Sequence, residues 1–405
     1  MRILYFHQHF STPNGAAGIR SYQMAQRLIH KGHKVTMICG SYNGGETGLV
    51  SAFVNGRRNG SVEGIDVIEF NLAYSNNDGL IKRAVLFLKF ALRSIILVFS
   101  ESYDVVFATT TPLTAGIPGI FSRWLRRKPF VFEVRDLWPE LPKQMGVIKN
   151  PLVLFLLYAL EWASYRSANR CIGLSPGIVE GIKCRGVLEN KITLVPNGCD
   201  LDIFGGKLDA WRPEGVTDSD LMAVFAGTHG IANGLDAALD AAKELKARGR
   251  LDIKIVLIGQ GKLKQSLQER AKKEQLNNVI FHAPVNKAKL AGLMASTDVG
   301  LQLLANIPAF YYGTSPNKFF DYIAAGIPVL NNYPGWLAEI IAENDCGFYA
   351  NPEHTDSFAD ALESAAEDKL KLKQMGLNAR QLAEKKFNRK TLSDQWVNWV
   401  TGVHQ

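Results

Sequence analysis

Twice along this chain a short apolar strand runs into a glycine-bearing loop and then into a helix. The first copy is Arg2–Phe6, a loop from His7 to Gly18, a helix over about 19–30 that stops at Gly32, and a strand at 34–39. The pattern restarts at Met222-Ala-Val-Phe-Ala, with Gly227-Thr-His-Gly-Ile-Ala-Asn233-Gly234 leading into a second helix. Strand, glycine loop, helix and strand form the βαβ unit of a doubly wound sheet. Its recurrence predicts an α/β protein with two Rossmann-like domains, and 405 residues are enough for two cores of ordinary size. Gly, Pro and Asp gather from about 200 through Val216. The linker is expected there, with a first domain over 1–202 and a second over 203–387.

In open α/β sheets, ligands bind beyond the carboxyl ends of the strands. The first such loop, Pro13-Asn-Gly15-Ala-Ala-Gly18, is not the GxGxxG dinucleotide pattern, but Gly15 and Gly18 let a backbone approach a ligand closely. A tight turn into the helix reads equally well. The strand Pro129-Phe-Val-Phe enters a loop dense in charge and aromatics. That position makes Glu133, Arg135 and Asp136 candidates for a reaction centre, the alternative being a surface ion-pair cluster. Residues 253–258 run into Gly259-Gln-Gly261-Lys262-Leu-Lys264, where small residues and lysines suit an anion.

The most informative stretch is Gly313 to Leu330, GTSPNKFFDYIAAGIPVL. Ser315 and Pro316 precede an apolar periodic run, Gly326 stops it, and a buried strand over 327–330 follows. The helix, expected over about 317–325, points its positive end and unpaired N–H groups of Asn317 and Lys318 at whatever lies before it. Such an end suits a diphosphate. One turn further, Asp321 is placed to accept ribose hydroxyls. A capped core helix in any α/β protein is the alternative.

SPNKFFDYIAAGIPVL resembles the nucleotide-sugar signature of the family 4 retaining glycosyltransferases. The family's GT-B fold sets two Rossmann-like domains face to face across a cleft. Its signature has two acidic residues with seven residues between them; Asp321 fills the second place and Gly313 the first, so a carboxylate is missing at Gly313. The Pro-Asn-Lys form is similar to transferases of bacterial surface polysaccharide, including those of L-fucosamine type. The resemblance implies donor contacts from Gly15, Gly18, Gly227, Thr228, Lys262, Lys264, Pro284, Val285, Ser315, Asn317, Lys318 and Asp321. Thr228 and Asn233 stand where relatives carry Arg and Lys, and Arg135 stands where a His is common. Pro196-Asn-Gly198 resembles the end of the family's first domain, and a last helix over about 388–405, with Trp396 and Trp399, is expected to pack back on it. The implied reaction moves a sugar, an N-acetylated hexosamine such as N-acetyl-L-fucosamine, from a UDP-sugar to a polyprenyl-diphosphate-linked saccharide for O-antigen or capsule. Configuration is retained, and neither metal nor cofactor is expected beyond the substrate UDP-sugar.

Charge narrows the partners. Residues 1–200 hold 23 Lys and Arg against 14 Asp and Glu, whereas 201–405 hold 23 against 24. The basic half faces an anionic partner. Residues 81–100, IKRAVLFLKFALRSIILVFS, are too charged to span a bilayer. Lys82, Lys89 and Arg93 fall on one helical face with apolar residues opposite, which suits a helix lying on an anionic inner membrane; a core-packed helix is the alternative. In the long helix over about 152–168, Trp162 and Tyr165 are expected to pack. The five cysteines have no metal-ligand spacing, and the first apolar run is broken at His7. A cytoplasmic protein peripheral to the membrane is expected, with no nucleic-acid partner because no recognised motif is present. Two other classes remain open: a non-hydrolysing UDP-sugar epimerase and a non-enzymatic basic lipid-binding protein.

Overall fold

The computed structural model describes residues 1–15, 17–75, 78–204, 209–354 and 356–404. Ala16 of the first glycine loop and residues 205–208 of the expected linker lie outside the described residues. The chain divides into two compact units. One holds Met1–Pro196, Gly313–Ser315 and Lys390–Gln405; the other holds Asn197–Tyr312 and Pro316–Arg389.

The first unit is built on eight strands: β1 (Arg2–Phe6), β2 (Lys34–Tyr42), β3 (Arg57–Val62), β4 (Ile65–Tyr74), β5 (Val105–Thr109), β6 (Phe130–Val134), β7 (Arg170–Gly173) and β8 (Ile192–Leu194). Their order is β3-β4-β2-β1-β5-β6-β7-β8, parallel except for β3 against β4. The second unit has β9 (Leu221–Ala226), β10 (Ile253–Ile258), β11 (Val279–His282), β12 (Val299–Gln302), β13 (Val329–Asn331) and β14 (Gly347–Tyr349). All are parallel, in the order β11-β10-β9-β12-β13-β14.

Helices of the first unit ahead of β8 are α1 (Arg20–His30), α2 (Leu80–Ser100), α3 (Ile117–Leu125), α4 (Glu140–Gln144), α5 (Pro151–Ser167) and α6 (Pro176–Cys184). Next come α7 (Leu201–Phe204), α8 (Asp236–Ala247), α9 (Lys264–Lys273), α10 (Lys287–Met294), α11 (Pro308–Gly313), α12 (Asn317–Ala324), α13 (Trp336–Glu343), α14 (Ser357–Glu367), α15 (Lys369–Lys386) and α16 (Arg389–Thr401).

Successive residues of a strand point to opposite faces, and β1 supplies both cores of the first unit. Leu4 and Phe6 pack with Phe90 and Leu97 of α2 and Tyr165 of α5. Ile3 and Tyr5 pack on the other face with Leu28 of α1 and Trp396 and Val400 of α16. Thus α2 and α5 cover one face of the sheet, and α1 and α16 cover the other. Each fully buried aromatic in these layers contributes roughly 1.5–3 kcal/mol of apolar transfer energy.

The structure alters several local expectations. Pro316 is extended and caps α12 instead of opening it, because its ψ of 128° precedes the helical turn. The strand after Gly326 begins only at Val329. Trp162 is largely exposed, whereas Tyr165 is buried: α5 is apolar on all sides, and only one side meets the sheet. Arg93 does not join the outward basic face of α2. Its guanidinium turns inward, donates to the Gly56 carbonyl at 3.0 Å and lies over Phe70.

Candidate functional site

In the first unit the carboxyl ends of β1, β5 and β6 bring a polar group of residues together. Glu133, near the end of β6, is fully buried. One oxygen accepts from Nε (3.1 Å) and Nη2 (2.8 Å) of Arg20 and from the indole of Trp396 (3.0 Å). The other accepts from Thr109 at 2.8 Å and lies 3.4 Å from Arg135 Nε. Burial raises the Glu133 carboxyl, but Arg20 and Arg135, with hydrogen bonds from Arg20 and Thr109, outweigh it and hold it below the ordinary range. A carboxylate so enclosed does not meet a substrate. It positions Arg135, which corrects the expectation that Glu133 acts at a reaction centre.

Arg135 is held on three sides. Its amide donates to Thr110 Oγ1, its Nε to Thr109 Oγ1 and its Nη2 to Ser21 Oγ, each at 2.8 Å. Asp136 accepts from Thr111 at 3.1 Å, and burial, opposed by Thr111 and Arg135, raises its pKa. The residues just past β1 were not singled out from the sequence. His7 and Gln8 are buried, and among the described residues His7 Nδ1, both Gln8 amide atoms and His9 Nε2 have no hydrogen-bond partner. Burial first, then the Arg135 charge, lowers both imidazoles, His9 to about 3, so both are neutral. Their signal in the sequence is three polar residues placed at once on the end of an apolar strand. Gly15 leaves no room for a side chain, since a Cβ would lie 2.3 Å from Ser11 Oγ; Gly18 is exposed just ahead of α1.

In the second unit the glycine loops after β9 and β10 interlock. His229 N donates to Gln260 O at 3.0 Å and Leu263 N to His229 O at 2.9 Å. Gly259 has φ +150°, and a Cβ on it would lie 1.8 Å from Gly227 O. The glycines therefore serve loop-to-loop packing. Burial, then Lys264, holds His229 down to about 4.

Lys318 stands in the first turn of α12. Its ammonium donates to Asn233 Oδ1 at 2.9 Å and lies 4.2 Å from the Phe225 ring centroid. Burial pushes it down to about 7. A Cβ on Gly227 would sit 3.4 Å from Lys318 Cε, and Asn233 also donates to the Thr228 carbonyl at 2.7 Å. Gly227, Thr228, Asn233 and Lys318 thus meet beside the start of α12, where no side chain caps the helix. Asn317 is exposed at this end. Ser315 is buried in the short segment grouped with the first unit.

Two expected donor contacts, Lys264 and Asp321, have other partners. Lys264 donates to the carbonyls of Gly259 (2.8 Å) and His282 (2.9 Å), tying the ends of β10 and β11 together. Lys262 is exposed. Asp321 is no free ribose acceptor: Lys287 lies 3.2 Å from its Oδ1 and 3.0 Å from Asp200, which is also bound by Arg389. Lys287 is 34 residues from Asp321, and no local pattern announces the pair. Burial raises Asp321, and Lys287 opposes it. Past β11, Pro284 is exposed and Val285 packs against the cluster containing Val224 and Leu293.

With this geometry in hand, known proteins can be compared. Residues 15–198 match the family described as "Glycosyl transferase 4-like domain", and residues 209–382 match "Glycosyl transferases group 1". The chain belongs to the family 4 glycosyltransferases with the GT-B fold. An uncharacterized glycosyltransferase of Methanocaldococcus jannaschii is 25% identical over 252 residues, 60% of this chain and 62% of that relative's length. Among solved structures, sucrose-phosphate synthase from Thermosynechococcus elongatus superposes with a TM-score of 0.78 at 15% identity, covering 100% of this chain and 99% of that one. Anabaena HepE, solved with UDP and glucose, superposes with a TM-score of 0.68 at 16% identity over 99% and 100% of the two chains. At these identities the superpositions speak for the fold, and the GT-B architecture expected from the resemblance is borne out. Both polar groups described above lie at the carboxyl ends of strands, where open α/β sheets bind ligands.

Proposed function

We propose that this family 4 protein is a retaining glycosyltransferase that moves an N-acetylated hexosamine, of N-acetyl-L-fucosamine type, from a UDP-sugar to a polyprenyl-diphosphate-linked saccharide. The process served is assembly of a bacterial surface polysaccharide, O-antigen or capsule, at the anionic cytoplasmic face of the inner membrane. The observation that carries the reading is Lys318, half-buried without a carboxylate, beside an uncapped helix start and the loop after β9. A cation held this way gains most from a bound diphosphate, and the α12 N–H groups add partial positive charge. HepE, with UDP and glucose bound, supports UDP as the nucleotide.

In this mechanism Lys318 and the N–H groups of Asn317 and Lys318 stabilise negative charge developing on the leaving UDP. Lysine supplies this charge, so no divalent metal is needed. Arg135, fixed by Thr109, Thr110 and Ser21, and the open polar atoms of His7, Gln8 and His9 suit saccharide hydroxyls, which both donate and accept. Asp136 adds an acceptor there. Catalysis is electrostatic and positional.

UDP release tests the proposal. With a UDP-N-acetylhexosamine and a lipid-linked saccharide, release should require both and persist in EDTA. Lys318→Met should lower turnover about 10²–10³-fold. Isomerised donor formed without acceptor would favour the epimerase instead, and vesicle binding without any turnover would favour a lipid-binding protein.

A further inference from the structure

The face of the first unit covered by α2, α3 and α5 carries more exposed apolar surface than folding explains. On α2, Ile81, Val85, Leu88, Leu92, Ile96 and Phe99 follow one another at helical spacing on the solvent side, each between 43% and 83% exposed. Their opposite side, with Phe90 and Leu97, enters the sheet core, so this helix is apolar twice over. α3 packs between α2 and α5, and its Gly119 sits against the Phe130 ring of β6. Trp124 and Leu125 at its end are exposed. On α5, Leu152, Phe155, Leu156 and Trp162 are exposed while Tyr165 faces the core. The three helices rest on one sheet face, so their outer sides look away from it together.

Basic residues dominate the charge on these three helices. α2 and α3 contain no Asp or Glu, and the single carboxylate of α5, Glu161, is buried against Arg185 at 2.9 Å. Exposed cations surround the apolar residues: Lys82 and Lys89 on α2, Arg126 and Arg127 after α3, Lys149 before α5 and Arg166 near its end. Of these, Lys82 is paired with Asp78. Among the described residues no helix is long and apolar enough to cross a membrane. An apolar centre with a basic margin is the surface complement of an anionic bilayer, with apolar side chains below the headgroups and cations among the phosphates. An apolar patch of this extent marks an interaction site.

We infer that α2, α3 and α5 form one membrane-docking platform, with α5 as essential as α2. This rests on the membrane location proposed above and extends it from one helix to three, with apolar insertion as well as charge. The test is flotation of the full-length protein on vesicles of phosphatidylglycerol and phosphatidylethanolamine, beside vesicles of phosphatidylcholine alone. The unaltered protein should float with the anionic vesicles and at least tenfold less with the neutral ones. Leu88→Glu with Leu92→Glu, and separately Phe155→Glu with Trp162→Glu, should each reduce flotation at least tenfold. Both double variants should keep the parent melting temperature and the turnover of a short, water-soluble acceptor. If the α2 variant is released and the folded α5 variant still floats, the platform is wrong while the membrane location stands. If the unaltered protein never floats, the location itself is wrong. A dimer in light scattering that the α5 variant dissociates, with no vesicle binding, would assign the face to a second copy of the chain and overturn the inference.

Discussion

The indole N–H of Trp396 donates to the Glu133 carboxylate at 3.0 Å across 263 residues of sequence, where the same oxygen accepts from Arg20. The last helix thereby reaches the strand end that fixes Arg135. Trp396→Phe keeps the buried ring and removes one hydrogen bond to a charged group, a loss of about 1–3 kcal/mol. Arg20→Met leaves a buried carboxylate short of its main partner and should cost about 3–5 kcal/mol. Urea unfolding measures both. Because Glu133 is held below its unfolded pKa, its contribution is present above the ordinary carboxylate range and is lost as pH falls through the folded value. The gap between Arg20→Met and parent should therefore narrow in acid; a gap constant with pH would remove Glu133 as the cause.

Lys318 predicts the pH dependence of nucleotide binding. Its ligand-free pKa is about 7, against an ordinary 10.5, because it is buried. A bound diphosphate favours the ammonium and moves that value up. Between the free and bound values, binding takes up a proton, and affinity falls as pH rises above about 7. Calorimetry of UDP binding at pH 8 in two buffers of different ionisation enthalpy should show uptake that disappears in Lys318→Met. Equal heats in both buffers for the unaltered protein would contradict this.

Lys287 joins Asp200 and Asp321, and its removal sets two carboxylates against each other beside Arg389. Lys287→Met should destabilise more than Asp321→Asn, with a coupling of about 0.5–3 kcal/mol in a double-mutant cycle. UDP affinity should change little in a folded Asp321→Asn variant. A large loss of affinity with unaltered stability would restore Asp321 to the ribose.

Gly259 and Gly313 separate packing from chemistry. A Cβ at Gly259 would overlap the Gly227 carbonyl, so Gly259→Ala should cost about 1–3 kcal/mol or more. At Gly313 a Cβ would meet nothing within 4 Å, so Gly313→Ala should be tolerated far better than Gly259→Ala. Thermal melts of the two variants check the contrast.

The βαβ restarts were readable because apolar runs such as 2–6 and 222–226 end on glycine loops, and that is enough for the fold class. The edge hairpin was not. β3 alternates exposed residues with half-buried Arg58, Gly60 and Val62 and has no apolar run to mark it. Arg93 and Lys287 were misjudged or missed for one physical reason: their partners, Gly56 and Asp321, are set by tertiary packing and leave no trace at helical spacing. Trp162 was expected inside because α5 is apolar all round, and periodicity cannot choose which side of such a helix meets the sheet. The neutral cluster after β1 depends on burial by neighbours and on the Arg135 charge, neither visible in HQH itself.

Mass spectrometry of a polyprenyl-diphosphate-linked saccharide, incubated with the protein and a panel of UDP-sugars, tests the central claim most directly. The account predicts one donor, an N-acetylated hexosamine, that adds a single residue to the acceptor, with one UDP released for each sugar transferred. An acceptor of unchanged mass with every UDP-sugar, under conditions where UDP binds, would contradict it.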